Sequence, residues 1–347
     1  MKILITGNMG YIGPCVVSHL RSCFPDAELI GLDVGYFAGC LTSNGIFPEC
    51  RVNIQHFADV RNISQNLLKN VDAVVHLAGI SNDPMGKAFE GVTLDINYKA
   101  SIKLAKLAKE AGVKAFVFAS SCSMYGAAGD QAKTEDSELN PLTAYAKSKV
   151  YTEKDLEPLA GNGFTATCLR FATACGMSDR LRLDLVLNDF VAAAIASQQI
   201  KILSDGTPWR PLININDMAR AIAWAIEREA VDSGNFLAVN IGSNHWNYQI
   251  KDLAEAVAKV IPGVDVSINK DAEPDKRSYS VDFSLFKRLA PNHQPIFDLV
   301  TTVNGLKDGL NSMGFKDEYF RNSRFMRLKV LDHLRANNRL TERLEWS

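Results

Sequence analysis

A tyrosine and a lysine four residues apart on one helix can do proton chemistry, and Tyr145-Ala-Lys-Ser-Lys149 supplies that pair. At this spacing both side chains project from the same helix face. Free tyrosine ionises near ~10 and is a poor base at neutral pH. An ammonium one turn away favours the phenolate and tunes the group toward acid–base work on an alcohol. Upstream, a β-branched apolar run leads into Ser120-Ser121-Cys122-Ser123-Met124-Tyr125-Gly126. A hydroxyl at that strand end can share a proton with a substrate oxygen and Tyr145. Ser121 is the first candidate and Ser123 the second. Ser120 and Cys122 read as packing and strand-end hydrogen bonding. Tyr–Lys pairs at this spacing are common by chance, so the pair gains meaning only from its surroundings.

Those surroundings include a phosphate-binding turn. Thr6-Gly7-Asn8-Met9-Gly10-Tyr11-Ile12-Gly13 follows the first apolar run and opens the first helical stretch. A pyrophosphate needs backbone N–H groups that it can approach closely, and a Cβ at the turn would stand in the way. The helix N-terminus adds partial positive charge there, and Gly13 lets the helix pack tightly on the strand. Twenty residues later, Asp33 ends the second strand, where a carboxylate can accept from adenosine ribose hydroxyls. It would repel a 2′-phosphate, and no Arg follows immediately, so NAD is favoured over NADP. Asp59-Val60 is placed to hold the adenine, and Leu77-Ala78-Gly79 lies at the carboxyl edge of the fourth strand. With a bound nicotinamide ring adding positive charge, the expected chemistry is removal of an alcohol proton by Tyr145 as hydride leaves the same carbon. Lys149 would also bind the nicotinamide ribose.

Positioning these groups takes a strand–helix alternation. Lys2–Thr6, Glu28–Asp33, Val52–Phe57, Ala73–Leu77, Ala115–Ser120 and Thr165–Arg170 read as buried strands; Tyr11–Cys23, Gly91–Ala111 and Tyr145–Ala160 carry helical periodicity. The pattern predicts an α/β fold, a Rossmann-type doubly wound parallel sheet. Beyond it lies a smaller C-terminal α+β unit for substrate. Residues 1–170 plus 211–243 are expected in the dinucleotide unit, and 171–210 plus 244–347 in the smaller one. Leu212–Ile215 and Phe236–Ile241 are expected to return to the main sheet. In the tail, Phe325, Leu328, Leu331 and Leu334 form an apolar stripe on a basic helix, which reads as a packed helix with a solvated face.

Composition closes other routes. With 38 Lys+Arg against 39 Asp+Glu, the net charge of −1 gives no electrostatic case for nucleic acid or an anionic membrane. No stretch approaches the ~20 apolar residues of a membrane span. The opening Met1-Lys-Ile-Leu-Ile-Thr-Gly7 is too short and too soon broken by glycine for a signal peptide, so a cytoplasmic location is expected. Seven scattered cysteines and six unclustered histidines match no metal spacing, so reduced thiols and no metal are expected.

Together these residues resemble the extended short-chain dehydrogenase/reductases, the NAD-dependent epimerase/dehydratase family of nucleotide-sugar enzymes. The matching marks are the T-G-x-x-G-x-x-G loop, His76-Leu-Ala-Gly79, Asn97, the S-S-x-S-x-Y-G segment and Y-x-x-x-K. The resemblance implies that Tyr11, Ile12, Asp33, Asp59, Val60, Ala78 and Asn97 contact NAD, and that Ser121, Tyr145 and Lys149 form the catalytic set. Leu169-Arg-Phe-Ala-Thr173, Arg180-Leu-Arg-Leu-Asp-Leu-Val-Leu-Asn188 and Trp209-Arg-Pro211 resemble a narrower subgroup of 4-epimerase-like enzymes and a GDP-heptose 4-dehydrogenase. On that resemblance Arg210 holds the substrate diphosphate, and Ser81, Thr173, Arg182, Asn188, Asp275 and Arg277 flank the nucleotide sugar. The family's 4,6-dehydratases carry Asp-Glu where this chain has Cys122-Ser123, so elimination of water is not expected. The resemblance also implies a homodimer built on Gly91–Ala111 and Tyr145–Ala160. A 4-epimerase is the expected activity, with a net 4-dehydrogenase or 4-ketoreductase as the alternative that uses the same residues. A non-enzymatic dinucleotide sensor is the remaining class, and retention of both Tyr145 and Lys149 argues against it.

Overall fold

Strands that are apolar without alternation must be covered on both faces, and this chain places them at the centre of a parallel sheet. The computed structural model describes residues 1–43, 45–126, 131–269, 272 and 278–347. The first six strands are β1 (Lys2–Thr6), β2 (Glu28–Asp33), β3 (Ile54–Phe57), β4 (Ala73–His76), β5 (Ala115–Ser121) and β6 (Thr165–Phe171). There follow β7 (Thr173–Cys175), β8 (Gln199–Ile202), β9 (Trp209–Asn214), β10 (Phe236–Ile241), β11 (Asn247–Gln249) and β12 (Asp265–Ile268). The main sheet has the order β10-β6-β5-β4-β1-β2-β3, with every pairing parallel. Chain order reverses between β1 and β4. Ligands of doubly wound sheets lie in the crevice at the carboxyl ends of the strands flanking such a point.

Several sequence expectations change in the folded chain. Leu212–Ile215 does not rejoin the main sheet: β9 runs parallel to β7 and antiparallel to β11 in a separate three-stranded sheet. The following helix, Ile215–Glu227, is the part that returns, packing beside Gly13–Cys23. Its apolar residues Ala219, Ile222 and Ala223 are buried there. The single helix expected over Gly91–Ala111 is divided into Glu90–Leu94, a π-helical turn at Asp95–Lys99 and Ala100–Glu110. The π turn holds Asn97, whose side chain donates to and accepts from Ile80 (2.8 and 2.7 Å), so the wider turn serves to tie down the loop after β4.

Arg327–Ala336 is a helix, and Leu331, Leu334, Leu340 and Leu344 bury themselves in the same core cluster as Leu4, Ile30 and Phe118 of the main sheet. The tail therefore packs against the main sheet. Phe325 alone of the stripe turns to the other cluster, beside Leu183 and Phe190. Among the described residues no helix is long and apolar enough to cross a membrane.

Candidate active site

The loop after β1 is shaped by its glycines. Gly7 has φ +75°, and a Cβ on it would lie 2.5 Å from the Ala78 backbone nitrogen. Only glycine fits there. A Cβ on Gly13 would overlap the Asn8 backbone, which accounts for the tight seat of the first helix. Asp33 at the end of β2 accepts from the backbone N–H groups of Met9 (3.0 Å) and Gly35 (2.8 Å). Burial pushes its carboxyl up, and those two hydrogen bonds oppose it.

Three elements bring the catalytic candidates together. Ser121 ends β5 and caps the short turn after it, accepting from the Ser123 N–H (3.2 Å) and donating to Ser123 Oγ (3.0 Å). Tyr145 and Lys149 lie on the helix Ala144–Leu156, whose N-cap Thr143 accepts from the Ala146 N–H (3.1 Å). Lys149 is buried, donates from Nζ to the Ala119 carbonyl (2.6 Å) and lies 5.6 Å from the centroid of the Tyr145 ring. Burial lowers its pKa to about 8. Tyr145 is pushed up by burial; its hydrogen bond with Ser121 and the Arg182 guanidinium pull it down, and Asp83 adds to the rise. Arg182 is thus a cation favouring the phenolate that the sequence did not point to, beside Lys149 with its ammonium 5.6 Å from the ring.

Lys149 yields a signed prediction. Its pKa is lower folded than unfolded, so the charged form costs stability below pH 8 and the cost fades between about pH 8 and 10. Burial raises the thiol pKa of Cys15, Cys40, Cys122, Cys168 and Cys175, which acts in the opposite sense over the same range. The informative quantity is therefore the difference from Lys149→Met. In chemical denaturation at pH 7 and pH 10, the variant's stability relative to wild type should fall by up to about 3 kcal/mol. A constant difference would show that Lys149 is not depressed.

Behind these residues sits a buried ion pair. Arg170 on β6 donates to both carboxylate oxygens of Glu153 (Nη2 to Oε2 2.7 Å, Nε to Oε1 3.2 Å), and Ser120 donates to Glu153 Oε1 (2.5 Å). Glu153 is one turn beyond Lys149, so the pair fixes the helix against the strand that carries Ser121. Glu153→Ala leaves Arg170 buried without its carboxylate and should cost about 3–5 kcal/mol, read from denaturant midpoints.

A cavity of about 920 Å³ joins these parts. It is lined by Gly7, Gly10, Tyr11, Ile12, Asp33, Asp59, Val60, Leu77, Ala78 and Gly79, and also by Ser81, Ser121, Ser123, Tyr145, Lys149, Thr173, Arg182 and Arg210. Asn97, Asn188 and Gly13 are kept out of its lining. Asn188 is fully buried and spends its amide on the Gly176 N–H, the Tyr11 hydroxyl and the Arg182 carbonyl, so it braces the wall of the cavity. Tyr11 likewise commits its hydroxyl to the Gly176 carbonyl (2.6 Å). Both oxygens of Asp59 accept from Arg61 (2.5–3.0 Å), which makes it first an anchor of its loop. Arg182 forks onto Asp184 and donates to Ser81 Oγ (3.0 Å), locking two predicted residues to each other. Arg210 lies over the Tyr279 ring, 5.8 Å from its centroid. Asp275 and Arg277 lie outside the described residues.

Sequence reading missed Asp83, Tyr279, Tyr36, Phe37 and Arg327 in the same lining. Asp83 had a local signal, since Asn82-Asp83-Pro84 opens a helix; its bond from Thr143 (2.6 Å to Oδ1) joins segments 60 residues apart. The others come from distant segments and had none.

A glycine cradle at a sheet switch point, joined to a Ser–Tyr–Lys set, defines a dinucleotide-dependent enzyme of alcohol and ketone chemistry. The family profile described as the NAD dependent epimerase/dehydratase family matches residues 3–242, and the chain belongs to that family. Among its relatives is a UDP-glucose 4-epimerase of Lactobacillus helveticus, 25% identical over 326 residues, covering 87% of this chain and 96% of that protein. Another is a UDP-glucose 4-epimerase of Neisseria meningitidis, 28% identical over 272 residues, 70% of this chain and 77% of that one. Among solved structures, a UDP-glucose 4-epimerase of Stenotrophomonas maltophila with bound NAD superposes with TM-score 0.77. It is 21% identical and covers 90% of this chain and 99% of that one. At this identity the likeness speaks to the fold.

Proposed function

We propose that the chain is an NAD-dependent nucleotide-sugar 4-epimerase. The observation that carries this reading is the meeting, in one cavity, of the Gly7 cradle, the Ser121–Tyr145–Lys149 set and Arg210. The residues suit a dinucleotide: Gly7 leaves room that any Cβ would fill, Asp33 keeps lone pairs for ribose hydroxyls, and Gly10, Tyr11 and Ile12 line the pyrophosphate path. Bound there, NAD supplies an acceptor for hydride from the alcohol carbon. Tyr145 takes the hydroxyl proton, and Ser121 shares that hydrogen bond as the oxygen's charge changes. Lys149 holds the nicotinamide ribose, and Arg182 biases Tyr145 toward the phenolate. Arg210, with a guanidinium fork suited to phosphate oxygens, holds the substrate's diphosphate. Thr173 and Ser81 line the sugar side. Asp275 and Arg277 belong to the same substrate proposal.

The named 4-epimerases among the relatives support position 4 and return of hydride to the opposite face of the keto sugar. We place the enzyme in the cytoplasm as a homodimer through the outer faces of Glu90–Glu110 and Ala144–Leu156, to be checked by light scattering. The test of activity is incubation with UDP-, GDP-, CDP- and dTDP-hexoses, with product sugars resolved by NMR and nicotinamide absorbance followed in parallel. The reading expects a new C4 isomer without lasting reduced-nicotinamide absorbance. A keto sugar formed in step with rising absorbance would make it a 4-dehydrogenase instead.

A further inference from the structure

The segment Phe320–Arg327 lies beyond the stretch matched to the family and bridges the two walls of the cavity. On one side, the Leu183 N–H donates to the Phe325 carbonyl (3.0 Å), Arg327 Nη2 donates to the Arg180 carbonyl (2.8 Å), and Arg321 pairs with Asp189 (2.6 Å). On the other side lies the loop directly after Asp33. There Cys40 donates to the Arg324 carbonyl (3.1 Å), and the Arg327 guanidinium stacks 4.6 Å from the Phe37 ring centroid. The chain end reinforces the same contact: Trp346 Nε1 donates to the Val34 carbonyl (2.7 Å), and Tyr36 donates its hydroxyl to the Leu344 carbonyl.

Charge singles out one residue of this bridge. Five arginines gather here: Arg180 pairs with Glu49, Arg182 with Asp184 and Arg321 with Asp189, while Arg324 is exposed to solvent. Arg327 has no carboxylate within ion-pair distance among the described residues. It is only 1% exposed, lines the cavity, and its Nη1 has no hydrogen-bond partner. Burial and the neighbouring Arg182 and Arg180 lower its pKa to about 10, against the opposing pull of Cys40 and the Asp184 carboxylate. A buried, unpaired guanidinium is destabilising unless a counter-charge joins it. Gly7 and Arg327 line the same cavity, so on the NAD reading the dinucleotide's pyrophosphate is the anion that enters it, and a guanidinium is the side chain best shaped to meet phosphate oxygens.

We propose that the tail forms the outer wall of the dinucleotide site and that Arg327 donates to phosphate oxygens of the bound dinucleotide. This rests on the NAD-binding reading above, and the test separates the two. NAD and ADP-ribose affinities are measured by calorimetry on full-length wild type, Arg327→Met and Arg327→Lys, each first stripped of nucleotide. Unfolding of the stripped proteins is followed alongside. The expected result is a loss of about 10- to 100-fold in affinity for both ligands in Arg327→Met. Arg327→Lys, which keeps the charge, should lose less. Stripped Arg327→Met should be as stable as wild type or more so, since it no longer buries a lone charge. A merely structural arginine would instead lower the stability of the stripped protein and leave affinity alone. Unchanged affinity in Arg327→Met, or its failure to fold, would overturn the proposal. Failure of wild type to bind either ligand would instead overturn the NAD reading itself.

Discussion

Tyr145→Phe is expected to lower turnover by about 10²- to 10⁴-fold while NAD affinity stays within about twofold of wild type. The substitution removes one oxygen. The ring, its place on the helix Ala144–Leu156 and its neighbour Lys149 remain, so the cleft keeps its shape. What is lost is the phenolic hydroxyl whose ionised form Ser121 favours. The loss should fall on kcat, because the proton moves in the chemical step while substrate binding is carried by groups such as Arg210. Stability should hold or rise slightly, since a buried hydroxyl is removed. Steady-state kinetics and calorimetry on one preparation check both halves. Undiminished kcat would remove Tyr145 from the mechanism.

Gly7→Ala carries the second large effect. The residue has φ +75°, where an L side chain is strained by roughly 1–2 kcal/mol. The strain is the smaller part. The new Cβ would sit 2.5 Å from the Ala78 nitrogen and 2.7 Å from its Cα, and neither backbone atom can swing away as a side chain could. The loops after β1 and β4 must separate, and both line the dinucleotide path. NAD affinity is expected to fall by at least about 100-fold, equivalent to about 3 kcal/mol. Gly91→Ala is the matched control: its Cβ would meet nothing within 4 Å, on a helix where alanine is favoured. Equal NAD affinity in Gly7→Ala and Gly91→Ala would show that the cradle is not where the dinucleotide binds.

What could be read from the sequence was local. The Gly7–Gly13 turn, Asp33, the Ser121 strand end and the Tyr145/Lys149 pair each declare themselves within a few residues. Six runs that read as buried strands likewise predict a parallel sheet whatever their order, though Val52–Phe57 forms its edge strand β3, in which no residue is buried. What could not be read is set by partners far along the chain. Asn97 also ties its amide to Ile80 through a π turn that no periodicity reveals. Asn188 also braces Tyr11, 177 residues away. Leu212–Ile215 has the apolar run of a main-sheet strand, but pairing with β7 and β11 takes it elsewhere. The stripe at Leu331 and Leu334 announced a packed helix without saying what it packs on. Arg327 shows in sequence only as one basic residue among several; its burial against Phe37 is a tertiary fact.

In the proposed reaction hydrogen leaves C4 of the sugar as hydride and returns to the same carbon. This route is tested most directly with a turned-over nucleotide sugar carrying deuterium at C4, incubated in ordinary water and analysed by NMR and mass spectrometry. The account predicts that the new isomer keeps its deuterium at C4, with no solvent hydrogen at that position. Loss of the label to water would mean that the carbon exchanges its hydrogen as a proton, and the mechanism built on Tyr145 and NAD would be wrong.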